Sequence, residues 1–516
     1  MKAFQRIKKI NGIEYMYDIT PFYDPKIKRN RQHSKYLGRV VDGKVKRIRQ
    51  KLPRNAYDCG ELLPFLKILE DLKIDAILNK LLPEEKARTV LLLALNRVVA
   101  PTSMMNVRSW YERTYLSKKY GELPLSPSAL SEFLETIGDS AISNDFTQEL
   151  LGHLGKCSSL LYDITSVSSH SKLMEMLEYG YNRDDTGLPQ LNLALVAHKE
   201  TGIPVAFDIY PGSINDVSTM KNTVTKLKAY GMEHPLLIMD RGFFSETNVT
   251  DIIENGFEFI MPVPFSLKAV KSLITSEQRT LENSKYLQKF EKEILFVKPV
   301  ELNYGKHMIK GFLFYSIEKE KEEKMLFYER LHDTFERLRA RVLRKWDNPM
   351  KLFDDIAGSM APYIEWKVNG DCFIVDEKSN AIAQRLNRAG KMVMLYKGDY
   401  TWQQVLGWSR ERDTIEKMFS GMKTELDILP LRAQKMKVAA GFVFITFISL
   451  ILRSRILALM KERNLYKNYG LPALILELSK IRRVELSDGS FMTTEVTKKQ
   501  RSILEALEIN IESLCA

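Results

Sequence analysis

The chain has 516 residues, 45% hydrophobic and 28% charged, which is typical of a globular protein with roughly two to four domains. Its four cysteines are scattered without a C-x-x-C pair, and no H-E-x-x-H motif occurs, so a zinc knuckle and a disulfide framework are disfavoured. Because the beginning of the chain lacks the apolar core of a secretory signal, we expect a cytoplasmic protein in a reducing compartment.

The net charge of +12 is concentrated at the N-terminus. Residues 1–54 contain 16 Lys or Arg and 4 Asp or Glu, an excess as large as that of the whole chain. A segment with this composition predicts contact with a polyanion, most simply nucleic acid, and the alternative is a solubilising tail.

The same segment contains two β-like stretches, 12–19 and 34–41, around the basic loop 26–31. Tyrosines interleave with the cations in both stretches: Tyr15, Tyr17 and Tyr36. Such rings either stack on nucleic-acid bases beside charges that neutralise phosphates, or form the core of a small sheet. The sequence favours neither interpretation over the other.

Residues 55–155 are predicted to form a helical domain. Apolar periodicity covers 62–82 and 86–99, and Ser128 is a plausible N-cap for a helix over 129–137. A compact helical domain next to a basic arm is a candidate DNA-binding module, although no helix-turn-helix signature supports that interpretation.

From residue 156 to 264 the pattern changes to alternating strands and helices. Strands are predicted at 160–165, 191–198, 205–210, 235–240 and 257–262. Three strands joined by tight turns are followed by helix, strand, helix and strand. This order is similar to that of the RNase H-like fold, a mixed α/β sheet with flanking helices.

Residues 265–400 interrupt this pattern as an inserted α+β segment. They contain a predicted hairpin, a charged amphipathic helix over 318–345 and two later strands. We assign 401–460 to the second part of the core and 461–516 to a polar tail. The apolar run 438–452 is shorter than the ~18 residues that span a bilayer, so it predicts a buried helix.

Residues 408–426 are predicted to form one helix with two stripes. The apolar stripe recurs at spacings of three and four residues: Ile415, Met418, Met422 and Leu426. Arg412, Glu416 and Lys423 lie within about 40° of one another on a second face. That face can combine a metal-binding carboxylate with cations for phosphate, although most helical Arg–Glu pairs are solvated and contribute under about 1 kcal/mol.

Two further carboxylates lie on predicted strands. Asp163 is in the middle of the strand 160–165, and Asp240 ends the strand 235–240, the position from which α/β sheets present ligand-binding groups. A strand-end aspartate is also a common turn former. If the two strands are neighbours, both carboxylates can meet Glu416. A ligand set made only of oxygens selects Mg²⁺ or Mn²⁺, and two such ions catalyse phosphoryl transfer.

With these motifs the chain resembles the DDE transposases of bacterial insertion sequences, in the branch with a Y-x2-R-x3-E-x6-K signature. Arg412, Glu416 and Lys423 match that spacing, whereas Ser409 stands at the tyrosine position. The LLYDIT, IMDRGFFS and PGSIND stretches also resemble this family, and the likeness covers about residues 155–460.

The resemblance implies roles for individual residues. The implied catalytic metal ligands, for two Mg²⁺ or Mn²⁺ ions, are Asp163, Asp240 and Glu416. Arg412 and Lys423 are implied to contact DNA phosphates, and we add Arg241 because it follows a metal ligand. The implied partners are double-stranded DNA, at terminal inverted repeats and at the target, and a second copy of the chain in a synaptic complex. No membrane role is implied.

The implied activity is transposition, in which element ends are cut and a 3′-hydroxyl is joined to target DNA. The alternatives are a stand-alone RNase H-like nuclease or resolvase, and an inactive transposase-derived DNA-binding protein. The inserted segment favours transposition, because synapsis needs additional contacts, and the intact acidic residues argue against an inactive protein. Four tryptophans are candidates for stacking on a flipped base or for the core: Trp346, Trp366, Trp402 and Trp408.

Overall fold

The computed structural model describes residues 3–25, 28–46, 51–155, 158–180, 187–214, 216–232 and 234–510. The first strands form an antiparallel sheet in chain order: β1 (Phe4–Ile10), β2 (Ile13–Asp24), β3 (Arg29–Val41) and β4 (Lys44–Lys46). The Asn-Gly and Asp-Gly pairs at 11–12 and 42–43 have positive φ at both residues, as tight hairpin turns require. Residues 26 and 27 of the predicted basic loop lie outside the described residues.

A short strand, β5 (Pro53–Asp58), leads from this sheet into the predicted helical region. The helices are α1 (Leu63–Asp71), α2 (Ile74–Leu81), α3 (Glu84–Val99), α4 (Val107–Arg113), α5 (Leu116–Tyr120), α6 (Pro127–Ile137) and α7 (Ser140–Leu154). The N-cap of α6 is Ser126 and not Ser128, because Ser126 Oγ accepts a hydrogen bond from Ala129 N at 3.3 Å. Pro127 occupies the first helical position, where its missing N–H removes no helical bond.

The predicted strands of the central region are all present. They are β6 (Ser159–Ser168), β7 (Gln190–His198), β8 (Ile203–Pro211), β9 (Leu236–Ile238) and β10 (Glu258–Pro262), with α8 (Asp216–Ala229) and α9 (Glu246–Glu254) between the last three strands. Their order in the sheet is β8-β7-β6-β9-β10; β6, β7 and β8 are antiparallel, and β9 runs parallel to both neighbours. The expected tight turn between the first two strands is wrong, since residues 169–189 separate them.

The segment 265–400 both extends this sheet and forms a second unit. Its elements are α10 (Lys268–Glu277), β11 (Leu287–Phe290), β12 (Glu293–Tyr304), β13 (His307–Tyr315), α11 (Ile317–Arg339), α12 (Pro349–Ala357), β14 (Ile364–Asn369), β15 (Cys372–Glu377), α13 (Ser379–Leu386) and β16 (Lys391–Lys397). β16 pairs with β10 and β13, so the sheet continues as β10-β16-β13-β12-β11. Helices α11, α12 and α13 pack with the β14–β15 hairpin around a hydrophobic cluster of their own.

After the segment come α14 (Trp402–Glu411), α15 (Asp413–Thr424) and α16 (Met436–Glu462). α16 contains the apolar run 438–452 and packs against α1, α3, α6 and β8. By length and composition α16 is apolar enough to cross a membrane, but 67% of its most apolar window is buried inside the protein. The prediction of a buried helix is therefore confirmed.

Two glycines set the distance between α6 and α16. A Cβ atom on Gly441 would lie 2.1 Å from the backbone oxygen of Leu134, and one on Gly138 would lie 1.8 Å from that of Lys437. The two backbones are therefore in direct contact, which glycine permits and larger residues do not.

Residues 471–506 fold instead of forming the expected polar tail. They contain α17 (Leu471–Leu478), β17 (Arg482–Leu486), β18 (Phe491–Thr493) and α18 (Lys498–Ala506). β17 pairs with both β18 and β5, so the C-terminal region is joined to the start of the helical region. The expected boundary at residue 54 falls inside β5.

The α6–α16 contact generates a stability prediction. Gly441→Ala should lower the free energy of unfolding by about 3 kcal/mol, the upper end of overpacking costs, because the clash is with backbone that has no other rotamer. Chemical denaturation measures the change. The matched control is Gly152→Ala in α7, where a Cβ meets nothing within 4 Å, and we expect it to be neutral or to stabilise by about 0.5–1 kcal/mol. Equal stability of Gly441→Ala and the native chain would contradict the close crossing.

Candidate active site

The register between β6 and β9 brings two aspartates to the same place. Leu161 lies opposite Ile238 in the parallel pair. Asp163 and Asp240 each lie two residues beyond this pair, and side chains two residues apart share one face of a sheet. The neighbouring Tyr162 points to the other face, where it is fully buried. The two carboxylates therefore lie side by side, as expected for neighbouring strands.

Backbone amides orient both carboxylates. Asp163 Oδ1 accepts a hydrogen bond from Ile164 N at 2.9 Å, and Asp240 Oδ1 accepts one from Arg241 N at 2.7 Å. The second bond also caps the short 3-10 turn that follows β9. The Asp163 side chain is 14% exposed and that of Asp240 is 39% exposed, so both are accessible from one side of the sheet.

A single guanidinium contacts all three predicted acidic residues. Arg412 Nη1 lies 3.5 Å from Asp163 Oδ2, and Arg412 Nη2 lies 3.9 Å from Asp240 Oδ1 and 2.6 Å from Glu416 Oε1. The Arg412 side chain is only 20% exposed. The simple interpretation of Arg412 as the partner of Glu416 alone is therefore incomplete, because the guanidinium also links the helix to both strands.

The predicted single helix over 408–426 is interrupted at Arg412, which itself keeps helical backbone angles of φ −56° and ψ −27°. α14 ends and α15 begins at this residue, which lies between hydrogen bonds of the tighter i to i+3 spacing on both sides: Arg412 N to Ser409 O at 3.3 Å and Ile415 N to Arg412 O at 3.0 Å. The apolar stripe of the second half is buried as predicted: Ile415, Met418, Met422 and Leu426. The interruption is confined to the residue whose guanidinium contacts the three carboxylates.

Lys199 holds α14 in place through two contacts, and no sequence pattern predicted this role. Lys199 follows β7 directly, and its side chain is 10% exposed. Its ammonium lies 3.2 Å from Glu411 Oε2 and 4.7 Å from the centre of the Trp408 ring. No motif marks Lys199, because its partners are more than 200 residues away along the chain.

The other predicted DNA contacts lie beside this centre. Arg241 is exposed and forms no ion pair within the described part of the chain. Lys423 is half-buried on the last turn of α15, about two helical turns after Glu416. Arg241 is therefore adjacent in the chain to one predicted metal ligand, and Lys423 shares α15 with another.

The four candidate tryptophans do not form one group. Trp402 and Trp408 pack against the main hydrophobic cluster, and Trp366 stacks on Phe353 with ring centres 4.8 Å apart. Trp346 is 78% exposed, so the core interpretation is wrong for this residue alone.

The donor chemistry of the centre suits a hard divalent cation. The three carboxylates carry more negative charge than one guanidinium balances, and they offer only oxygen atoms. Across the described residues, no group of three acidic, histidine or cysteine side chains has the spacing of a metal site. We attribute this to Arg412, which lies between the carboxylates and would have to move for them to share an ion.

Of the comparisons with known proteins, the match to a family model is the one that agrees with this chemistry. The family model for the transposase DDE domain matches residues 158–452, which include β6, β9, α15 and most of α16. A solved structure of the piggyBac transposase synaptic complex with hairpin DNA is similar at 11% identity and a TM-score of 0.35, covering 90% of this chain and 88% of that chain. Comparison with curated proteins found no match.

The charge imbalance at Arg412 generates a stability prediction. Arg412→Ala should lower the free energy of unfolding by about 1–3 kcal/mol, more than an exposed pair contributes, because three carboxylates then repel one another in a partly buried place. Thermal unfolding at pH 8 measures the loss, and adding Mg²⁺ or Glu416→Gln should reduce it. Lys417→Ala, on the exposed side of the same helix, should change stability by under about 0.5 kcal/mol. A stable Arg412→Ala protein that does not respond to Mg²⁺ would contradict the shared centre.

Proposed function

This chain belongs to the DDE transposase family, and we propose that it is the transposase of a bacterial insertion sequence. In this proposal it binds the ends of the element, cuts DNA there and joins the resulting 3′-hydroxyl to target DNA. The observation that supports it is the convergence of Asp163, Asp240 and Glu416 on one guanidinium. Two strands and a helix from distant parts of the chain supply these groups, which a set of incidental surface acids would not do.

We assign the strands β8-β7-β6-β9-β10 to an RNase H-like core. Their order supports the assignment, since three antiparallel strands are followed by two parallel strands reached through helices. The segment 265–400 then lies between the second aspartate and the glutamate, and α14 and α15 return the chain to the core. This arrangement leaves the carboxylates on the central strands and on α15, where Asp240 and Glu416 are accessible from solvent.

In this proposal Asp163, Asp240 and Glu416 hold Mg²⁺ or Mn²⁺, with two ions bound. When bound, such ions supply the charge that stabilises the attacking and leaving oxygens of a phosphoryl transfer. The protein contributes carboxylates that are already oriented, because the amides of Ile164 and Arg241 hold one oxygen of each aspartate. Pre-oriented ligands reduce the entropy lost when substrate and catalytic groups come together.

We further propose that Arg412, Lys423 and Arg241 bind DNA phosphates around the centre. A guanidinium binds carboxylate and phosphate in the same bidentate geometry, so Arg412 can exchange its carboxylate partners for a phosphate of the DNA.

The basic residues 1–54 add a second contact with DNA. We place the active form in the cytoplasm as a homodimer that holds two element ends. Ser409 stands where the Y-x2-R-x3-E-x6-K branch has tyrosine, so this chain performs its reaction without that phenol.

The first prediction concerns the acidic residues. Asp163→Ala, Asp240→Ala and Glu416→Ala should each reduce cleavage of a labelled end fragment more than about 100-fold, because each variant removes a metal ligand. Binding of the same fragment in a gel-shift assay should persist. Asp413→Ala is the matched control, an exposed acid on α15 that forms an ion pair with Lys417 one turn along the helix, and it should cleave normally. Full cleavage in EDTA, or by any one of the three variants, would contradict the assignment.

The second prediction separates Arg412 from Lys423. Arg412→Lys keeps the charge but loses the planar guanidinium, so cleavage and strand joining should both fall by at least about tenfold. Lys423→Arg should change either rate by less, because arginine also binds phosphate. Single-turnover rates at saturating end DNA compare the two variants. If Arg412→Lys is as active as the native chain, a charge alone is sufficient at this position and bidentate contact with phosphate is excluded.

A further inference from the structure

The N-terminal sheet has two chemically different faces. Cross-strand pairs place Arg6 opposite Tyr17 and Lys8 opposite Tyr15, while Tyr17 also pairs with Tyr36. Directly paired residues of antiparallel strands project to the same side, so these side chains share one face, called here the tyrosine face.

More cations lie on the same side of the sheet. Tyr15 pairs with Arg39, Arg39 pairs with Lys46, and Val41 pairs with Lys44. In the described strands no Asp or Glu lies on the tyrosine face. The acids of these strands all project to the opposite face: Glu14, Asp18 and Asp24. The register therefore concentrates positive charge on one side of the sheet, although the sequence mixes both signs.

The tyrosines occupy the middle of the sheet and most of the cations its edges. The Tyr36 ring centre lies 5.9 Å from that of Tyr15 and 5.5 Å from that of Tyr17, and the Lys8 ammonium lies 4.9 Å from the Tyr17 ring centre. The three rings belong to the central strands β2 and β3. Tyr36 is 40% exposed, so a ring face at the centre of the cluster is accessible from solvent.

One end of this face is covered, because Ile19 on it is fully buried, whereas Tyr36, Arg39 and Lys46 on the same face are exposed. The hydrophobic clusters of the described residues begin at Cys59, and none of them contains a residue of β1–β4. Of the two roles that the sequence leaves open for the tyrosines, the geometry favours stacking over a packed core. An exposed aromatic cluster between rows of cations has the composition of a surface that binds unpaired nucleotides.

We propose that the tyrosine face binds single-stranded DNA, with bases stacked on the tyrosines and phosphates at the cations of β1 and β4. Four strands measure about 15 Å across, wider than the ~12 Å major groove of undistorted duplex DNA, so this face does not fit flat into that groove. A strand with unpaired bases can lie flat on it. The inference rests on the proposed function in taking DNA as the polyanion, and it adds that the DNA is unpaired at this contact.

Fluorescence anisotropy of the full chain tests the proposal. The probes are a labelled 12-nucleotide oligothymidylate and a 20-base-pair duplex, measured in EDTA so that neither is cleaved. Tyr36→Leu should weaken oligothymidylate binding about fivefold or more, as loss of a stacked base does, and leave duplex binding unchanged. Tyr36→Phe keeps the ring and should bind normally. The matched control is Phe22→Leu, an aromatic residue that is 43% exposed on the opposite face, and it should also bind normally.

A charge variant keeps the test valid if Tyr36→Leu fails to fold. Lys46→Gln should lower the slope of log K against log salt for oligothymidylate by about 0.7, the value for one phosphate contact on a single strand. Lys35→Gln, exposed on the opposite face, should leave that slope unchanged. Circular dichroism and elution volume show whether each variant is folded.

Two results would overturn the proposal. One is native oligothymidylate affinity in a folded Tyr36→Leu protein, and the other is an equal loss in the Phe22→Leu control. The outcome is independent of the catalytic assignment. If the native chain cleaves no end DNA but the Tyr36→Leu variant loses oligothymidylate binding, this surface is supported and the transposase proposal is overturned. If the native chain cleaves end DNA while the Tyr36→Leu variant binds oligothymidylate normally, the transposase proposal is supported and this surface is overturned.

Discussion

The contact of one guanidinium with three carboxylates is the constraint on which the rest of the carboxylate centre depends. Asp163, Asp240 and Glu416 repel one another unless a cation lies between them, and Arg412 supplies that charge. Positioning the guanidinium requires β6 beside β9 and a helix end directly above both strands. Arg412 lies at the junction of α14 and α15. α14 is held by Lys199, and α15 packs on α16 and β6.

The long helix α16 packs against α15 and so helps to hold it in place. It packs against β8 of the sheet and against α1, α3 and α6 of the helical region, so a single buried element joins the two. Its contact with α6 is as close as backbones allow, since both Gly138 and Gly441 lack the atoms that would separate them. Interiors packed at this density transmit displacements, so a shift of α16 would also move α15, which packs on it.

Charge is divided between two separate surfaces. The carboxylate centre is acidic with one guanidinium among its three acids, whereas the tyrosine face of the N-terminal sheet has cations and no acid in its described strands. Metal ions suit the first surface and DNA phosphates the second. In the proposed function this division lets the chain hold DNA through the sheet while its acidic centre takes up cations.

Local sequence pattern alone determined the central strands, the family and the three acidic residues of the site. Period-two and period-3.6 spacing located the central strands and the buried stripe of α15, and the R-x3-E-x6-K spacing indicated the DDE transposase family before any geometry was known. The sequence also marked Asp163, Asp240 and Glu416 as partners. The tertiary structure decided the break at Arg412, the role of Lys199, the pairing of β5 with β17 and the side of the sheet that carries the tyrosines. These features depend on register and on contacts between residues far apart in the chain, and local periodicity contains no information about either.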